Sequence, residues 1–390
     1  MANRTLEKPV NAITKQNKSH ETDMNSEFFV RPATMQDDEQ LVNMIAKTMP
    51  CAGIKLSFER YPSYLKASHV HYNQPEAMVA VSKTDPNTVL AFFNVGTRHC
   101  YINGSIKSLR YVGDFRVNDF KHLYLTKLLM EFLRSTYPTD ELYQSIMLSD
   151  HSTLLKTLSD KNSGAPKRFT ADSIETHTLT GFKFKKQLSP NLSITTMSAS
   201  DISEVNRFVA HMSDYYNFLP AYDFNDLLKG DAYWRGLNLA DFLVFRRGGQ
   251  IVGLCGLWDQ TIFKQTRIGH YGAAVSWLKP LYNYWAKHNK QVQLPNKGSV
   301  YKCLMLHSAL CNPYDTDLFD SMLRVAHQTA IKKNFKAICF TLAKNDPRLD
   351  CSQQFVSQKI CASHGFHSFE GNPLTQFDSK RISYLECGRI

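Results

Sequence analysis

Two stretches of this sequence hold side chains whose type and spacing could do chemistry. In YVGDFRVNDFKHLYLTKLLMEFLRS, from Tyr111 to Ser135, an apolar, β-rich run of Tyr111, Val112, Phe115 and Val117 passes through Asn118 and Asp119 into a helical pattern. Asn and Asp accept hydrogen bonds from the free N–H groups at a helix start. The first-turn amides and the helix dipole both favour negative charge, so the junction is a ready anion site, although an ordinary strand-to-helix connection reads the same way. The second stretch, His69-Val70-His71, puts two imidazoles on one side of an expected strand. A zinc site needs more ligands, and with no third one near in sequence these read as surface histidines. The sequence contains no GxSxG elbow, P-loop, HExxH or GxGxxG.

The elements that must position such groups follow from periodicity. Leu125, Leu128, Leu129, Phe132 and Leu133 recur at i, i+3, i+4, i+7 and i+8, which predicts a helix with one buried stripe. The same design is written again from Tyr301 to Ile331. There an apolar strand to Leu310 meets a turn at 312–315, then a helix with Phe319, Met322, Leu323, Ala326 and Ala330 on one face. An opening unit is duplicated as well. VRPATMQDDEQLVNMI matches ITTMSASDISEVNRFV position by position, with Val30 over Ile194, Asp37 over Asp201 and Leu41 over Val205. Repetition at this scale predicts two similar halves.

Between these landmarks, Phe58 to Ala67 reads as a short helix. Runs at 77–82 and 89–95 read as a hairpin turning through Thr84-Asp85-Pro86-Asn87. A turn at Asn103-Gly104 leads into the strand that ends at Val117, and 142–148 reads as a further strand. The pattern then predicts a helix at 151–158 and two strands within 169–188. In the second half it predicts a helix over 224–234, a hairpin over 242–257 turning at Gly248-Gly249, a strand over 337–342, a helix over 352–362 and closing strands to Leu385. Residues 258–299 form an insertion with Trp277, Tyr282, Tyr284 and Trp285, beside Lys264, Arg267, Lys279 and Lys287, and this aromatic group is expected to cover a core or line a cleft.

Length and composition set the bounds. With 390 residues, 43% of them hydrophobic and 21% charged, the chain can bury two sizeable cores. A net charge of +11 suits an anionic partner such as a nucleotide, a phosphate or a membrane surface, without choosing among them. The densest basic group, Lys183, Lys185 and Lys186, reads as a solvated face rather than a nucleic-acid patch. Nine cysteines without a CxxC pair suggest reduced thiols in a cytoplasmic protein. No apolar run reaches the roughly 18 residues of a membrane span. The first 26 residues, lacking an apolar h-region, read as a disordered tail rather than a secretory signal.

The order strand, two helices, hairpin, long strand, central helix, strand, helix and final strands, written twice, resembles the GCN5-related N-acetyltransferase superfamily in tandem. The resemblance rests on RPATMQDDEQL, on VGDFRVNDFKHLYLTKLLMEFL and on the endings Gly181-Phe182 and Gly365-Phe366. It implies an α/β fold of two domains, 27–190 and 191–390, each a mixed, mostly antiparallel sheet flanked by helices. It further implies acetyl-CoA or another acyl-CoA as co-substrate, an amine acceptor and no metal. In this family the turn after the long strand reads Q/R-x-x-G-x-G/A and its amides hold the pyrophosphate. The matching segment in the first half is Lys121, His122, Leu123, Tyr124, Leu125 and Thr126, where Lys121 replaces the arginine and Tyr124 takes a glycine position. In the second half it is 313–318, with Asp315 and Asp317 set to repel phosphate.

The resemblance also implies site roles. Backbone amides at Phe115, Arg116 and Val117 would hold the acyl carbonyl and pantetheine, Asp114 would help deprotonate the amine, and His177 would be an acid. His177 equally reads as a structural histidine, Asp114 as a turn carboxylate, and Cys361, the counterpart of His177, as a small core residue. The first half is then the active copy. Two rivals share the fold: a non-catalytic binding protein, and an aminoacyl or fatty-acyl transferase using a carrier-bound donor.

Overall fold

The structure, a computed structural model, describes residues 27–47, 49–51, 54–119, 125–148, 166–288 and 293–390. In the first half the strands are β1 Phe28–Pro32, β2 Met49–Cys51, β3 Ile54–Glu59, β4 Gln74–Ser82, β5 Val89–Ile102, β6 Ser105–Val117, β7 Tyr143–Leu148 and β8 Lys167–Phe182. Those of the second are β9 Leu192–Thr196, β10 Tyr216–Asn217, β11 Leu219–Pro220, β12 Phe242–Arg247, β13 Gln250–Trp258, β14 Gln265–Tyr271, β15 Cys303–Cys311, β16 Ala337–Ala343, β17 Phe355–Ser368 and β18 Ile382–Ser383. The α-helices are α1 Asp38–Ile45, α2 Tyr64–Ser68, α3 Leu125–Thr136, α4 Ile202–Met212, α5 Asp226–Lys229, α6 Ala273–His288 and α7 Thr316–Lys332.

Local chemistry explains the elements that begin each half. Asp37 accepts from the Thr34 amide at 2.7 Å, and Asp201 accepts from the Ser198 amide at 2.7 Å. Each carboxylate sits at the positive end of its helix, α1 or α4, and each is paired with an arginine, Arg31 or Arg246, at 2.8 Å. The two hairpins turn where left-handed backbone is supplied, at Asn103-Gly104 (φ 52° and 81°) and Gly248-Gly249 (φ 58° and 83°).

The large sheet runs β1, β4, β5, β6, β7, β17, β8, β16, β15, β13, β12, β9. Read from its two edges, it is two like-ordered sets of five strands around a central pair. Every contact within the first set is antiparallel except β6 with β7, and every contact within the second except β15 with β16. The central pair is crossed. β17, from the end of the chain, pairs with β7, whereas β8, from the first half, pairs with β16. β8 and β17 pair with each other from Phe182 opposite Phe355 to Lys167 opposite Ser368. One sheet therefore runs through both halves, and each half lends its longest strand to the other.

Helix α3 buries Leu125, Leu129, Met130 and Leu133 against Ala80, Ala91, Phe93 and Val95. Helix α7 buries Leu318, Phe319, Met322, Leu323, Ala326 and Ala330 against Leu304, Leu306 and Phe340. A small second sheet, β14-β3-β2, joins the insertion to the first half through β14 and β3.

Several expectations are corrected. Residues 355–368 form a strand rather than the helix expected over 352–362, and Gly365-Phe366 lies inside it. A single strand, β8, stands where two were expected, because it spans both neighbours' registers without a turn. Phe58 belongs to β3, and only Tyr64–Ser68 is helical there. Over 224–234 a four-residue helix and a 3-10 turn replace one helix. Cys361 is exposed rather than a core residue. The tail, 1–26, and the helix expected at 151–158 lie outside the described residues.

Candidate active site

Parallel neighbours in each half pair briefly and then part. β6 and β7 pair at Arg110 with Tyr143 and Tyr111 with Gln144, after which 112–117 and 145–148 diverge. β15 and β16 pair from Cys303 with Ala337 to Met305 with Cys339, and 306–311 then leaves 340–343. Each parting strand carries a bulge. Asp114 (φ 54°) lies where the β5–β6 register shifts, and Ser308 (φ 48°) where the β13–β15 register shifts. A bulge leaves a residue out of the ladder and re-aims its neighbours, a device common beside active sites.

The first, anterior wedge holds Asp114, one of the two side chains expected to act. Tyr64 on α2 donates its hydroxyl to Asp114 Oδ2 at 3.1 Å. Helix α2 is held by its cap Ser63, which accepts from the Lys66 amide, and by Asp38, which accepts from the Leu65 amide at 2.8 Å. Burial, and then the Asp114 carboxylate, push the Tyr64 phenol well above its ordinary pKa, so it stays a neutral donor. Tyr72 and Asn94 pack alongside. The Tyr72 hydroxyl donates to the Asn94 carbonyl at 3.5 Å, while the buried Asn94 Oδ1 has no hydrogen-bond partner. Residues 112–117 are all half-buried.

Of the other expected ligand contacts, Phe115, Arg116 and Val117 lie on the wedge wall, and the Arg116 guanidinium donates to the Phe115 carbonyl at 2.8 Å. Leu125 is in the core, and Thr126 is buried with an unpartnered hydroxyl in the first turn of α3. Lys121, His122, Leu123 and Tyr124 lie outside the described residues. The structure does not bring His177 to Asp114. That imidazole sits on β8, stacks on Phe340 at 5.3 Å and faces Ser357 Oγ at 3.3 Å, and burial lowers its pKa. His69 is exposed and His71 buried, and among the described residues no group of His, Cys, Asp and Glu could hold a metal ion.

In the second, posterior wedge a segment of the chain itself takes the space. Tyr384, Leu385, Glu386 and Cys387 lie between Leu306 and Ala309 on one wall and Phe340 and Leu342 on the other, and leave a cavity of about 10 Å³. That is room for about one water molecule. The bulge amide of Ser308 donates to Glu386 Oε2 at 2.8 Å, and the hydroxyls of Tyr384 (3.1 Å) and Tyr222 (3.2 Å) donate to the same oxygen. Burial outweighs these donors and raises the Glu386 pKa to about 7. Gly388 permits the close approach that seats the segment, since a Cβ there would lie 2.6 Å from the Trp258 ring. Arg389 then anchors it, donating to the Tyr233 carbonyl at 2.7 Å and to His307 Nε2 at 3.0 Å, with its guanidinium over the Tyr233 ring at 3.5 Å.

Between the wedges, Lys264 turns its ammonium inward to the Ile390 carbonyl at 2.8 Å. Desolvation, reinforced by Arg60, lowers its pKa to about 7. Glu386 does not stand out in sequence, because nothing local marks a residue whose partners lie on other elements, and Lys264 reads there only as one cation beside the aromatic insertion.

No protein-family profile and no curated protein matches this sequence. Solved structures do match. N-myristoyltransferase from Saccharomyces cerevisiae with bound myristoyl-CoA superposes with a TM-score of 0.53 at 9% identity, over 90% of this chain and 85% of that one. A GCN5-related N-acetyltransferase from Sphaerobacter thermophilus gives 0.52 at 10% identity, over 91% and 99%. The fold is that of the GCN5-related N-acetyltransferases. A glucosamine N-acetyltransferase region of a fungal multi-domain β-N-acetylglucosaminidase also matches, with a TM-score of 0.54 at 9% identity, over 87% of this chain and 38% of that one. At such identities the likeness is one of fold. The chain is thus an α/β protein with a mixed sheet flanked by helices, and among its described residues no helix is long and apolar enough to cross a membrane.

Proposed function

We propose that the chain is an acyl-CoA-dependent N-acyltransferase, built of two pseudo-equivalent halves, 27–190 and 191–390, with its thioester in the anterior wedge. The observation that carries this reading is the contrast between the two bulges. Behind Ser308 the chain supplies its own carboxylate to the bulge amide, whereas the wall at Asp114 is half-buried and faces Tyr64. An amide that satisfies a carboxylate oxygen in one half is the kind of donor that would polarise a thioester carbonyl in the other.

In the reaction, the acceptor amine attacks the thioester carbon, its proton passes to the Asp114 carboxylate, the C–S bond breaks and the CoA thiolate leaves to be protonated by water. Tyr64 holds Asp114 in place through its neutral hydroxyl. The bulge amides at 114 and 115 bind the carbonyl and the strand to Val117 guides the pantetheine. The pyrophosphate lies at the approach to α3, where residues 121–126 are the expected cradle. His177 has no part in this scheme, because its ring is packed against Phe340. The acceptor is a primary amine of a metabolite or a protein.

Calorimetry with CoA, acetyl-CoA and myristoyl-CoA tests the reading. Heat with at least one of these, weakened by substitution of Arg116 or Thr126 and unaffected at Glu386, is expected. Folded protein that gives no heat at millimolar ligand would favour the non-catalytic binding protein, and turnover from carrier-bound donors alone would favour the carrier-dependent transferase.

A further inference from the structure

Helix α6 is built inside out. Around it, Val275, Lys279, Asn283 and Ala286 face inward, whereas Trp277 (80%), Leu281 (68%), Tyr284 (67%) and Trp285 (51%, with its ring 5.8 Å from that of Tyr282) are exposed. The exposed four recur at i, i+4, i+7 and i+8, so they form one stripe with Leu278 at its border. Its inner side is partly polar where a core helix is apolar. Lys279 donates to Asn296 Oδ1 at 3.4 Å, and Asn283 accepts from the Leu294 amide at 2.8 Å. Scattered exposed apolar residues need no explanation, but a continuous aromatic and aliphatic stripe marks an interaction surface.

The charges around the stripe select the partner. From Gln260 to Tyr314 the sequence has seven Lys and Arg and no Asp or Glu, although Lys264 is buried with its ammonium turned inward and Arg267 is paired with Glu59 at 2.8 Å. Lys297 and Lys302 are exposed close after the helix in sequence. Tryptophan and tyrosine favour the boundary between water and hydrocarbon, where an amphiphilic ring is best placed. A helix with such a face, followed in sequence by exposed lysines, lies in the plane of an anionic bilayer surface, with lysines at the headgroups. A second copy of the chain fits less well, because a two-fold contact would set the exposed Lys297 and Lys302 regions of the two copies face to face.

We propose that α6 docks the protein on an anionic phospholipid membrane by burying Trp277, Leu281, Tyr284 and Trp285 at the interface. The inference is independent of the acyl-transfer reading, because it uses none of the residues of either wedge.

Co-sedimentation of the full chain with vesicles tests it, comparing pure phosphatidylcholine with phosphatidylcholine containing one-third phosphatidylserine. The protein is expected to pellet with the anionic vesicles, less with the neutral ones, and to be released by salt. Of the four tryptophans, Trp234 and Trp258 are buried, so a blue shift of emission on binding reports Trp277 and Trp285. L281E, at an exposed position that keeps both tryptophans, is expected to weaken binding about tenfold or more and to abolish the shift. Failure of the folded chain to pellet with anionic vesicles, or undiminished binding by L281E, would overturn the proposal. So would a dimer in sedimentation velocity that L281E dissolves, since the stripe would then be covered by a second copy.

Discussion

Asp114 and Ser308 occupy the same place in two like-ordered halves of one sheet. Each is left-handed, at φ 54° and 48°, and each comes three residues after the last paired residue of its parting strand, Tyr111 or Met305. Each bulge faces one residue on the neighbouring strand, Phe93 or Cys255, that the register skips. Left-handed backbone costs a non-glycine residue about 1–2 kcal/mol, so retaining it at both positions implies that the re-aimed backbone is used. In the posterior half its use is visible, since Ser308 holds Glu386.

If the anterior bulge serves acyl transfer, Asp114→Asn removes the base and leaves the backbone and the Tyr64 contact in place. Turnover is expected to fall about 100-fold or more, with donor affinity unchanged. Tyr64→Phe removes only the 3.1 Å hydrogen bond to Asp114, and a loss of about tenfold is expected. Steady-state rates with the best CoA thioester, set beside calorimetric donor affinities, check both. Equal losses from the two variants would contradict the assigned roles.

Glu386 makes stability depend on pH in a direction opposite to that of most carboxylates. Its pKa rises from 4.5 to about 7 on folding, so the folded state holds a proton that the unfolded chain has already released. Stability from this group is full below pH 4.5, declines as pH rises to about 7 and is level above it. The full decline is on the order of 3 kcal/mol. His307 and Arg389, which also face this cluster, are present in parent and variant alike. Urea midpoints of Glu386→Gln relative to the parent are therefore expected to improve steadily between pH 5 and pH 7. A constant difference across that range would refute the burial argument.

The stripe on α3 allows a graded test of packing. Leu129 is fully buried and Leu128 only partly so. Leu129→Ala is expected to cost about 2–5 kcal/mol and Leu128→Ala clearly less. Denaturant unfolding of the two variants gives the comparison.

What was legible in the sequence was local. The stripes of α3 and α7, the matched acidic openings at Asp37 and Asp201 and the hairpin turns at Asn103-Gly104 and Gly248-Gly249 are each specified within a few residues and stand where the sequence put them. β17 was read partly as a helix because its partners, β7 and β8, lie some two hundred residues away, and a strand buried by distant neighbours need not alternate. The bulges were hidden for another reason: neither Asp114 nor Ser308 is a glycine, so no residue type announced φ > 0. The tryptophans of α6 were expected to cover a core or a cleft because an apolar stripe shows that one face differs without showing which face is inside.

Closure of the posterior wedge should depend on Gly388. Its absent side chain lets the closing segment lie against Trp258, with Gln260 Nε2 donating to the Gly388 carbonyl at 2.8 Å. A methyl group there would meet Trp258 Cε3 at 2.6 Å and Gln260 Nε2 at 2.9 Å, and the indole is itself fixed by its N–H to the Arg235 carbonyl at 2.9 Å. Because the ring cannot yield, the segment must. Gly388→Ala is expected to cost about 1–3 kcal/mol, the usual range for overpacking, and to loosen Glu386 from the Ser308 amide. Hydrogen exchange at Ser308 is then faster in the variant, while the amides of α3, on the far side of the sheet order, keep their protection. Unchanged exchange at Ser308 together with a lowered melting temperature would mean that strain spreads through Trp258 instead, and that the segment holds its place by Arg389 alone.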